Sequence, residues 1–437
     1  MKPFLINFWE TLRSSYWFVP ALMSAGAFGL SYVLLALDQH LRFPSLNGFA
    51  WIYTGGAVGA RSVLSTIASS VITVAGTTFS ITIAALSLAS AQFGPRLLRG
   101  FLRDTGNQVV LGTFIGTFVY CLFVLRAIRG VERDVFVPNL AVTGGVFLAL
   151  ASVGVLIYFI NHVSSSIQAS NVITKVAGEL NEAIERLYPG LIGEGEADHT
   201  PTRQEDEAVS TQERPIPARC CGYVQIIDEA RLIDLARAAG GVLVVARRPG
   251  TFVTKGAPLA VLRSERTPPE DFSLRVNKAF ILGPHRTMTQ DAGFGIDQLV
   301  EVAARALSPG INDPFTAIIC LDRLGDAISQ LATRRMPSAQ GYDDSNLRVI
   351  AAPLLFPEMV DTAFDQIRQY GRTSYAVTLH LLETLEVIGA RTTRAEDQAA
   401  LRRQADLIYS GSQALPELED RRIVAVHYTG ILPSLGG

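Results

Sequence analysis

The sequence predicts an α-helical integral membrane domain with four spans, followed by a cytoplasmic α+β domain that has a small β-rich part and a helical part. Two observations predict this fold class. Uncharged apolar segments of 18 to 31 residues recur within the first 160 residues, and about 20 such residues cross a bilayer as a helix. Mixed polar and apolar segments then follow in a chain of 437 residues, which is long enough for a sizeable soluble part.

The four spans are predicted from these uncharged segments in turn. Gly94-Pro95 ends the second span, and the third contains Gly112 and Gly116, a GxxxG pair typical of packed membrane helices. Before the first span, residues 3–13 predict a short amphipathic helix at the membrane interface. The spans are residues 17–37, 62–92, 108–125 and 138–160.

The remaining chain divides by composition. The fourth span is expected to continue as a helix over residues 173–187, so the transmembrane domain is predicted as 1–188. An acidic linker follows, and then a small β-rich cytoplasmic subdomain and a helical cytoplasmic subdomain. A polar loop (334–346) and a frayed tail (430–437) are expected within the last of these. The three segments after the transmembrane domain are residues 189–219, 220–285 and 286–437.

Charge is distributed unevenly along the chain. Residues 1–188 hold twelve Lys and Arg against eight Asp and Glu, whereas the remainder holds 26 against 32. The acidic remainder argues against a nucleic-acid partner, which needs a basic surface. Near the span ends, seven basic residues on one side face five on the other, and this bias places both termini in the cytoplasm. We therefore expect a multi-pass protein of the bacterial inner (plasma) membrane, with the lipid bilayer as its partner.

The second span carries an unusual polar stripe. Its residues recur at steps of three, four or seven, which places them on one face of a helix. Apolar residues such as Leu64, Ile67 and Val71 fall on the opposite face. Two interpretations stay open: close packing between membrane helices, and a pore wall in a homo-oligomer. The candidate pore-lining residues are Ser62, Thr66, Ser69, Thr73, Gly76, Thr77, Ser80 and Ser87.

A candidate sensor site lies in the soluble part. His285, Arg286 and Asp291 are close in sequence and precede a predicted helix, and they either bind a ligand or form a salt-bridged loop that docks the β-rich part onto the helices. Asn312 and Asp313 precede Pro314, so Asp313 is expected to cap the next helix. A binding role for this pair is the alternative. No metal site or cofactor is expected, since no metal-ligand spacing occurs and Lys278 lacks the flanking residues of a biotinyl or lipoyl lysine.

The four cysteines give no disulfide framework. Cys220 and Cys221 are adjacent in sequence, and two reduced thiols are expected there, with a redox pair as the alternative.

Three segments carry a family resemblance. They are TFSITIAALSLASAQFGPRLLRGFLRD at 78–104, GYVQIID at 222–228 and DAGFGIDQLVEVAARALSPGINDPFTA at 291–317. Together they resemble the bacterial predicted-membrane-protein family, domain of unknown function 2254, over nearly the whole chain. The resemblance implies several spans with a cytoplasmic region, and it implies no catalytic residue.

These observations favour an oligomeric ion channel or pore, lined by the second span and gated or filtered by the cytoplasmic domain. The spans contain no ionisable group of the kind that transporters and pumps place inside a bundle. A membrane-tethered sensor or regulatory protein without transport activity is the alternative. We expect no enzymatic activity, because nucleotide-binding, zinc-protease and hydrolase motifs are missing from the sequence.

Overall fold

The computed structural model divides the chain into an N-terminal unit, Met1–Asn171, and a C-terminal unit, Val172–Gly437. The predicted helix at 3–13 and residues 193–211 of the predicted linker lie outside the described residues. The structure describes residues 17–40, 53, 55–94, 105–131, 134–166, 168–192, 212–343 and 346–436.

The N-terminal unit is built from long apolar helices. Among the described residues, four helices are long and apolar enough to cross a membrane. A short hairpin, β1 (Arg129–Val131) and β2 (Asp134–Phe136), precedes the last of them. The helices are α1 (Phe18–His40), α2 (Ala57–Phe93), α3 (Thr105–Ala127) and α4 (Asn139–Ser166).

The second of these helices is longer than predicted. Helix α2 begins at Ala57, five residues before the predicted start of the span at Ser62. Gly59 and Ala60 continue its first turn, and Ala60 is fully buried. With 37 residues, α2 is about 55 Å long, which exceeds the thickness of a bilayer core.

The glycine pair of α3 packs closely against α1, which confirms the predicted GxxxG packing face. A Cβ atom at Gly112 would lie 2.5 Å from Met23 Sδ, and one at Gly116 would lie 3.5 Å from Ala27 Cβ. Since higher numbers on one helix meet higher numbers on the other, α1 and α3 run parallel. This parallel direction is expected if α1, α2 and α3 each cross a bilayer, because α2 returns the chain to the side from which α1 started.

Helix α4 runs antiparallel to α3. Tyr120 donates a 2.7 Å hydrogen bond to the carbonyl of Ala141 near the start of α4, whereas the hydroxyls of Thr117 and Ser152 lie 3.2 Å apart further along it. The start of α4 is capped from α1, because Asp38 accepts hydrogen bonds from the backbone N–H groups of Leu140 and Ala141. The unit is thus an up-and-down helical bundle.

The sequence predicts that the fourth span continues as one helix, but the structure has two separate helices there. Helix α4 ends at Ser166, and a separate helix α5 begins at Ala169 and ends at Leu187. The hydroxyls of Ser164 and Ser165 bond to carbonyls of α4, and the Asn171 amide donates to the Ser165 carbonyl. Polar side chains that bond to nearby backbone groups compete with helix continuation, and apolar periodicity does not reveal this competition.

Two sheets form the β-rich part of the C-terminal unit. The strands are β3 (Gln212–Pro217), β4 (Gly222–Ile227), β5 (Val242–Val245), β6 (Phe252–Val253), β7 (Pro258–Ser264), β8 (Phe280–Gly283), β9 (Gln340–Asp343) and β10 (Asn346–Ile350). A five-stranded sheet has the order β3-β7-β5-β10-β9, and a three-stranded sheet has the order β6-β4-β8.

Three of these strands differ from the prediction. Strand β3 occupies the end of the predicted linker, where Pro215 and Pro217 suggest no strand. It is an edge strand paired only with β7, and proline is tolerated at an edge because its missing N–H is not needed for a further strand. Strand β9 lies in the predicted polar loop, and β10 begins at the last residue of that loop, Asn346. Strand β10 joins β5 in parallel pairing that buries Val349. Because Val349 and its partner Leu243 are far apart in sequence, the pattern of neighbouring residues does not reveal this pairing.

Helices make up the rest of the C-terminal unit. Those beginning at Ala292 and Pro314 confirm the two helices predicted after Asp291 and Asp313, whereas α13 (Leu418–Ile431) was not predicted. The predicted frayed tail is wrong, because Ile431 and Leu435 are buried and a 3-10 turn follows α13. The other helices are α6 (Glu229–Ala238), α7 (Phe272–Asn277), α8 (Ala292–Ala306), α9 (Pro314–Ala332), α10 (Phe356–Gly371), α11 (Tyr375–Gly389) and α12 (Ala395–Gly411).

Candidate functional site

The polar stripe of α2 lies on the surface of the single chain. All eight candidate residues are exposed, although each sits within a helix that has the composition of a membrane span. We call this surface the α2 polar face; it consists of Ser62, Thr66, Ser69, Thr73, Gly76, Thr77, Ser80 and Ser87.

The opposite side of α2 packs into the bundle of the same chain. Leu64, Ala68, Val71 and Ala75 are each no more than 8% exposed. At about 100° per residue, Thr73 and Val71 point in roughly opposite directions around the helix axis. The apolar side of α2 therefore contacts its own bundle, and the α2 polar face points away from it.

The hydroxyls of the α2 polar face donate to their own helix. Thr66, Ser69, Thr73, Thr77 and Ser80 each bond to the carbonyl four residues earlier, at 2.8 to 3.1 Å. Each oxygen keeps lone pairs that can accept a further hydrogen bond. The back-bonds lower the cost of placing these hydroxyls against lipid, so they make the stripe compatible with lipid and with water.

Gly76 adds open space to the same face. A Cβ atom built there has no heavy atom within 4 Å, in contrast to Gly112 in the α1–α3 contact. Tight packing within the chain therefore does not account for Gly76. The packing interpretation of the stripe requires a neighbour other than the described helices of this chain.

Two of the candidate sensor residues, Arg286 and Asp291, belong to an ion-pair network at the start of α8. The Arg286 Nε donates to Asp291 Oδ2 at 2.8 Å, and the same guanidinium also pairs with Asp297. Asp291 caps α8 by accepting from the Phe294 N–H at 3.2 Å. Arg286 also stacks over the Phe294 ring, with 5.2 Å from its Cζ to the ring centroid. Each polar atom named here is paired.

Burial contributes to the pKa shifts of both charged partners, Asp291 and Arg286. It raises the pKa of Asp291, against the opposing effect of Arg286, because the carboxylate is 5% exposed. Burial alone would lower the pKa of Arg286, but its hydrogen bond to Asp291 and the two neighbouring carboxylates raise it. Gly250 has a φ of +85° and approaches so closely that a Cβ atom there would lie 2.1 Å from Asp291 Oδ2. The network is therefore tightly enclosed.

His285 contributes its backbone to a different contact. Its carbonyl accepts a 2.7 Å hydrogen bond from Gln225 Nε2 of β4, while its side chain is exposed. Five residues later, Gln290 Oε1 accepts from the Ile227 N–H and its Nε2 donates to the Ile227 carbonyl. Residues 285–291 thus attach strand β4 to the helical part, as the salt-bridged-loop interpretation expects.

Asn312 and Asp313 belong to a separate place in the fold. Helix α8 lies between them and Asp291 and is about 22 Å long. Asp313 caps α9, because it accepts from the Thr316 N–H at 3.1 Å and from its hydroxyl at 2.6 Å. Asn312 has a φ of 51°, a left-handed conformation that asparagine tolerates better than most residues. The five candidate sensor residues therefore do not form one site.

Sequence reasoning missed two members of the Arg286 network. Phe294 and Asp297 lie in the first turns of α8, three and six residues after Asp291. The signal in the sequence that could have identified these two residues was their position within the first two turns after the predicted helix start. Among the described residues, no cluster of three or more His, Cys, Asp or Glu side chains could hold a metal ion.

Comparisons with known proteins find one family of predicted membrane proteins and uncharacterized mycobacterial relatives. The family model of the predicted membrane protein, domain of unknown function 2254, matches residues 13–387. An uncharacterized protein of Mycobacterium bovis is 32% identical over 414 residues, which cover 92% of this chain and 77% of the relative. An uncharacterized protein of Mycobacterium tuberculosis matches with the same identity and coverage. No solved structure matches the chain.

Proposed function

The chain belongs to the predicted-membrane-protein family, domain of unknown function 2254, and from this premise we propose that it is a homo-oligomeric membrane pore for ions or small solutes. The α2 polar face of each copy lines the passage. The C-terminal unit lies in the cytoplasm with both termini and gates or filters the passage. The membrane is the bacterial inner membrane.

One observation carries the proposal: the α2 polar face is exposed along its whole length, opposite the side that packs into the bundle. A lone chain in a bilayer would present about five turns of hydroxyl groups to hydrocarbon, where polar groups gain nothing from water. Assembly of several copies around a common axis removes this mismatch, because each polar face then meets water in a shared passage.

The side chains that flank the polar face suit such an assembly. Ile72 and Phe79 on one flank and Ile81 on the other are 40–47% exposed. These apolar flanks can contact neighbouring copies or lipid while the hydroxyl groups between them face the passage. The unpaired lone pairs of the hydroxyls would solvate a hydrated ion or a small polar solute.

A second candidate is a membrane-tethered sensor or regulatory protein without transport activity. The hydrogen bonds from Thr66, Thr73 and Ser80 to their own helix favour it, because they lower the cost of facing lipid in a chain that does not assemble. The two candidates differ in oligomeric state and in conductance.

The test is to measure the mass of the full-length protein in detergent and then record currents from it in planar bilayers. We expect three or more copies per particle and discrete channel currents. Thr73→Lys should retain assembly and shift selectivity towards anions, since a ring of ammonium groups repels cations. A monomeric particle, or an oligomer without currents, would rule out the pore and leave the regulatory candidate.

A further inference from the structure

Two adjacent cysteines lie on a short, well-anchored loop of the C-terminal unit, and the proposed pore gives them no role. Cys220 and Cys221 are both free and both exposed. They occupy the connection between β3, which belongs to the five-stranded sheet, and β4, which belongs to the three-stranded sheet. The loop therefore joins the two sheets at a fixed place on the surface.

The residues on both sides of the pair are held by hydrogen bonds. The Ala218 N–H donates to the Ala257 carbonyl at 2.8 Å, and the Ala218 carbonyl accepts from the Gly256 N–H at the same distance. The Arg219 N–H donates to Asn277 Oδ1 at 3.0 Å. On the other side, Gly222 begins β4 and pairs with β6. These contacts keep both thiols on one short segment, which lowers the entropy lost when one ligand binds both.

The chemistry of the pair favours a shared ligand over a disulfide. Consecutive Cα atoms are about 3.8 Å apart, which is shorter than the separation of about 4.4–6.8 Å that a disulfide usually spans. A vicinal disulfide is therefore strained and easily reduced. A bridging atom larger than a single S–S bond relieves this constraint, because it lengthens the path between the two sulfur atoms.

The ligand must also require few donors. Among the described residues no group of three or more His, Cys, Asp or Glu side chains is arranged to hold a metal ion. Structural zinc takes four protein ligands, so the pair alone does not complete a zinc site. Soft, thiophilic centres that are satisfied by two sulfur ligands fit the donors present.

We propose that Cys220 and Cys221 form a dithiol site that chelates trivalent arsenicals such as arsenite. Arsenious acid loses two hydroxyl groups and each thiol loses its proton, so that two As–S bonds form and two water molecules leave. No electron is transferred, and the step needs no oxidant or reductant. The site is independent of the proposed passage.

The other two cysteines do not compete for such a ligand. Cys121 and Cys320 are both fully buried, and they lie in different units of the chain. Burial raises the pKa of the Cys320 thiol to about 12, so its reactive thiolate is scarce at neutral pH. Neither thiol has a cysteine beside it in sequence.

Phenylarsine oxide, added to the full-length protein in detergent, provides the test. Intact-mass spectrometry should find one phenylarsenic group per chain, and peptide mapping should place it on the peptide that contains both cysteines. The adduct should be released by 2,3-dimercaptopropanol and should survive a monothiol at the same thiol concentration. Cys220→Ser and Cys221→Ser should each weaken binding at least about tenfold, since the second thiol acts at a high effective concentration.

The controls are Cys121→Ala and Cys320→Ala, which should keep the adduct. The position of the arsenic on the peptide map keeps the test valid if either control folds poorly. Equal binding by the Cys220→Ser variant would contradict the proposal, because one thiol would then suffice. Purification of the pair as a vicinal disulfide, two hydrogens lighter, would also contradict it.

Discussion

An exposed polar side chain is ordinary in the C-terminal unit and unusual on the apolar helices of the N-terminal unit. In the C-terminal unit, large apolar side chains such as Phe356, Met359 and Phe364 are fully buried, although some, such as Phe315 and Leu418, are exposed. In the N-terminal unit, Tyr32, Leu150 and Ile157 are more than 60% exposed. An exposed hydroxyl is ordinary on the first kind of surface and exceptional on the second.

The feature that differs most from its surroundings is a different one in each unit. In the N-terminal unit, the informative feature is the α2 polar face, because it interrupts an otherwise apolar surface. In the C-terminal unit, the corresponding feature is a buried charge, and Asp291 with Arg286 supplies it. The hydroxyl stripe on the outside of the apolar helices is therefore the feature on which the proposed pore rests, whereas the buried ion pair lies at a junction between β4 and the helical part.

The largest expected effect tests the buried pair. Arg286→Ala leaves the Asp291 carboxylate buried without its guanidinium partner, and this should lower the free energy of unfolding by about 3–5 kcal/mol. Arg248→Ala is the matched control, because its ion pair with Glu358 is 42% and 45% exposed and should contribute about 0–1 kcal/mol. Urea titration of the full-length protein, followed by proteolysis of the C-terminal unit, measures both. Equal effects of the two variants would contradict the contrast between buried and exposed charges.

A smaller effect tests close packing in the N-terminal unit. Gly112→Leu inserts a side chain where Met23 Sδ lies 2.5 Å from the Cβ position, and overpacking of this kind costs about 1–3 kcal/mol. Gly154→Leu on α4 is the control, because nothing lies within 4 Å of its Cβ position. Thermal stability in detergent should fall for the first variant and stay near wild type for the second. If Gly154→Leu were the more damaging, that glycine would have to face a neighbouring copy.

The next prediction concerns alkaline pH in the C-terminal unit. Burial and the charge of Asp291 raise the pKa of Tyr188 to about 12 from its ordinary value of 10, and its hydroxyl donates to the Leu354 carbonyl at 3.1 Å. Because the folded pKa is the higher, stability is complete below pH 10 and is lost as the pH rises through about 12. The loss should approach about 2 kcal/mol. Tyr188→Phe should flatten this dependence in urea titrations between pH 10 and 12, whereas Tyr370→Phe, at an exposed tyrosine, should retain it.

The smallest effect distinguishes a helix cap from a binding residue. Asp313→Ala removes the acceptor of the Thr316 N–H and should cost about 0.5–2 kcal/mol. Asp313→Asn should restore most of that stability, because asparagine is about as good an N-cap as aspartate. A melting temperature unchanged in Asp313→Ala, together with altered channel currents, would show that the residue acts in function and not as a cap.

Sequence periodicity was sufficient for the elements that bury one regular face. It identified the four apolar helices, the Gly112–Gly116 packing face and the Asp313 cap, since the pattern that reveals each is formed by residues close together in sequence. It did not identify strand β10, which becomes a strand only by pairing with β5, about one hundred residues earlier. It also extended the fourth span through residues 167–168, because the side-chain bonds around Ser165 carry no periodic signal.

The candidate sites were predictable to different degrees. Helical spacing placed the α2 polar face on one side of a helix, but only packing reveals that the apolar side is the one buried within the chain. Grouping Asp291 with Asn312 and Asp313 treated nearness in sequence as nearness in space, and the length of α8 separates them. The enclosure of Asp291 by Gly250 depends on a residue 41 positions away.

The exposure of α2 to water in the assembled protein is the most direct test of the pore. In a background of Cys220→Ser and Cys221→Ser, which keeps the buried Cys121 and Cys320, cysteines introduced one at a time at Thr73 and Thr77 are treated with a small water-soluble thiol reagent in native membranes. Cysteines at Val71, which is buried, and at Ile72, which is 40% exposed on the apolar flank of the α2 polar face, are the controls. The pore predicts reaction at Thr73 and Thr77 and none at Val71 and Ile72, because thiolates form in water and hardly at all against lipid. Equal lack of reaction at all four positions would contradict it.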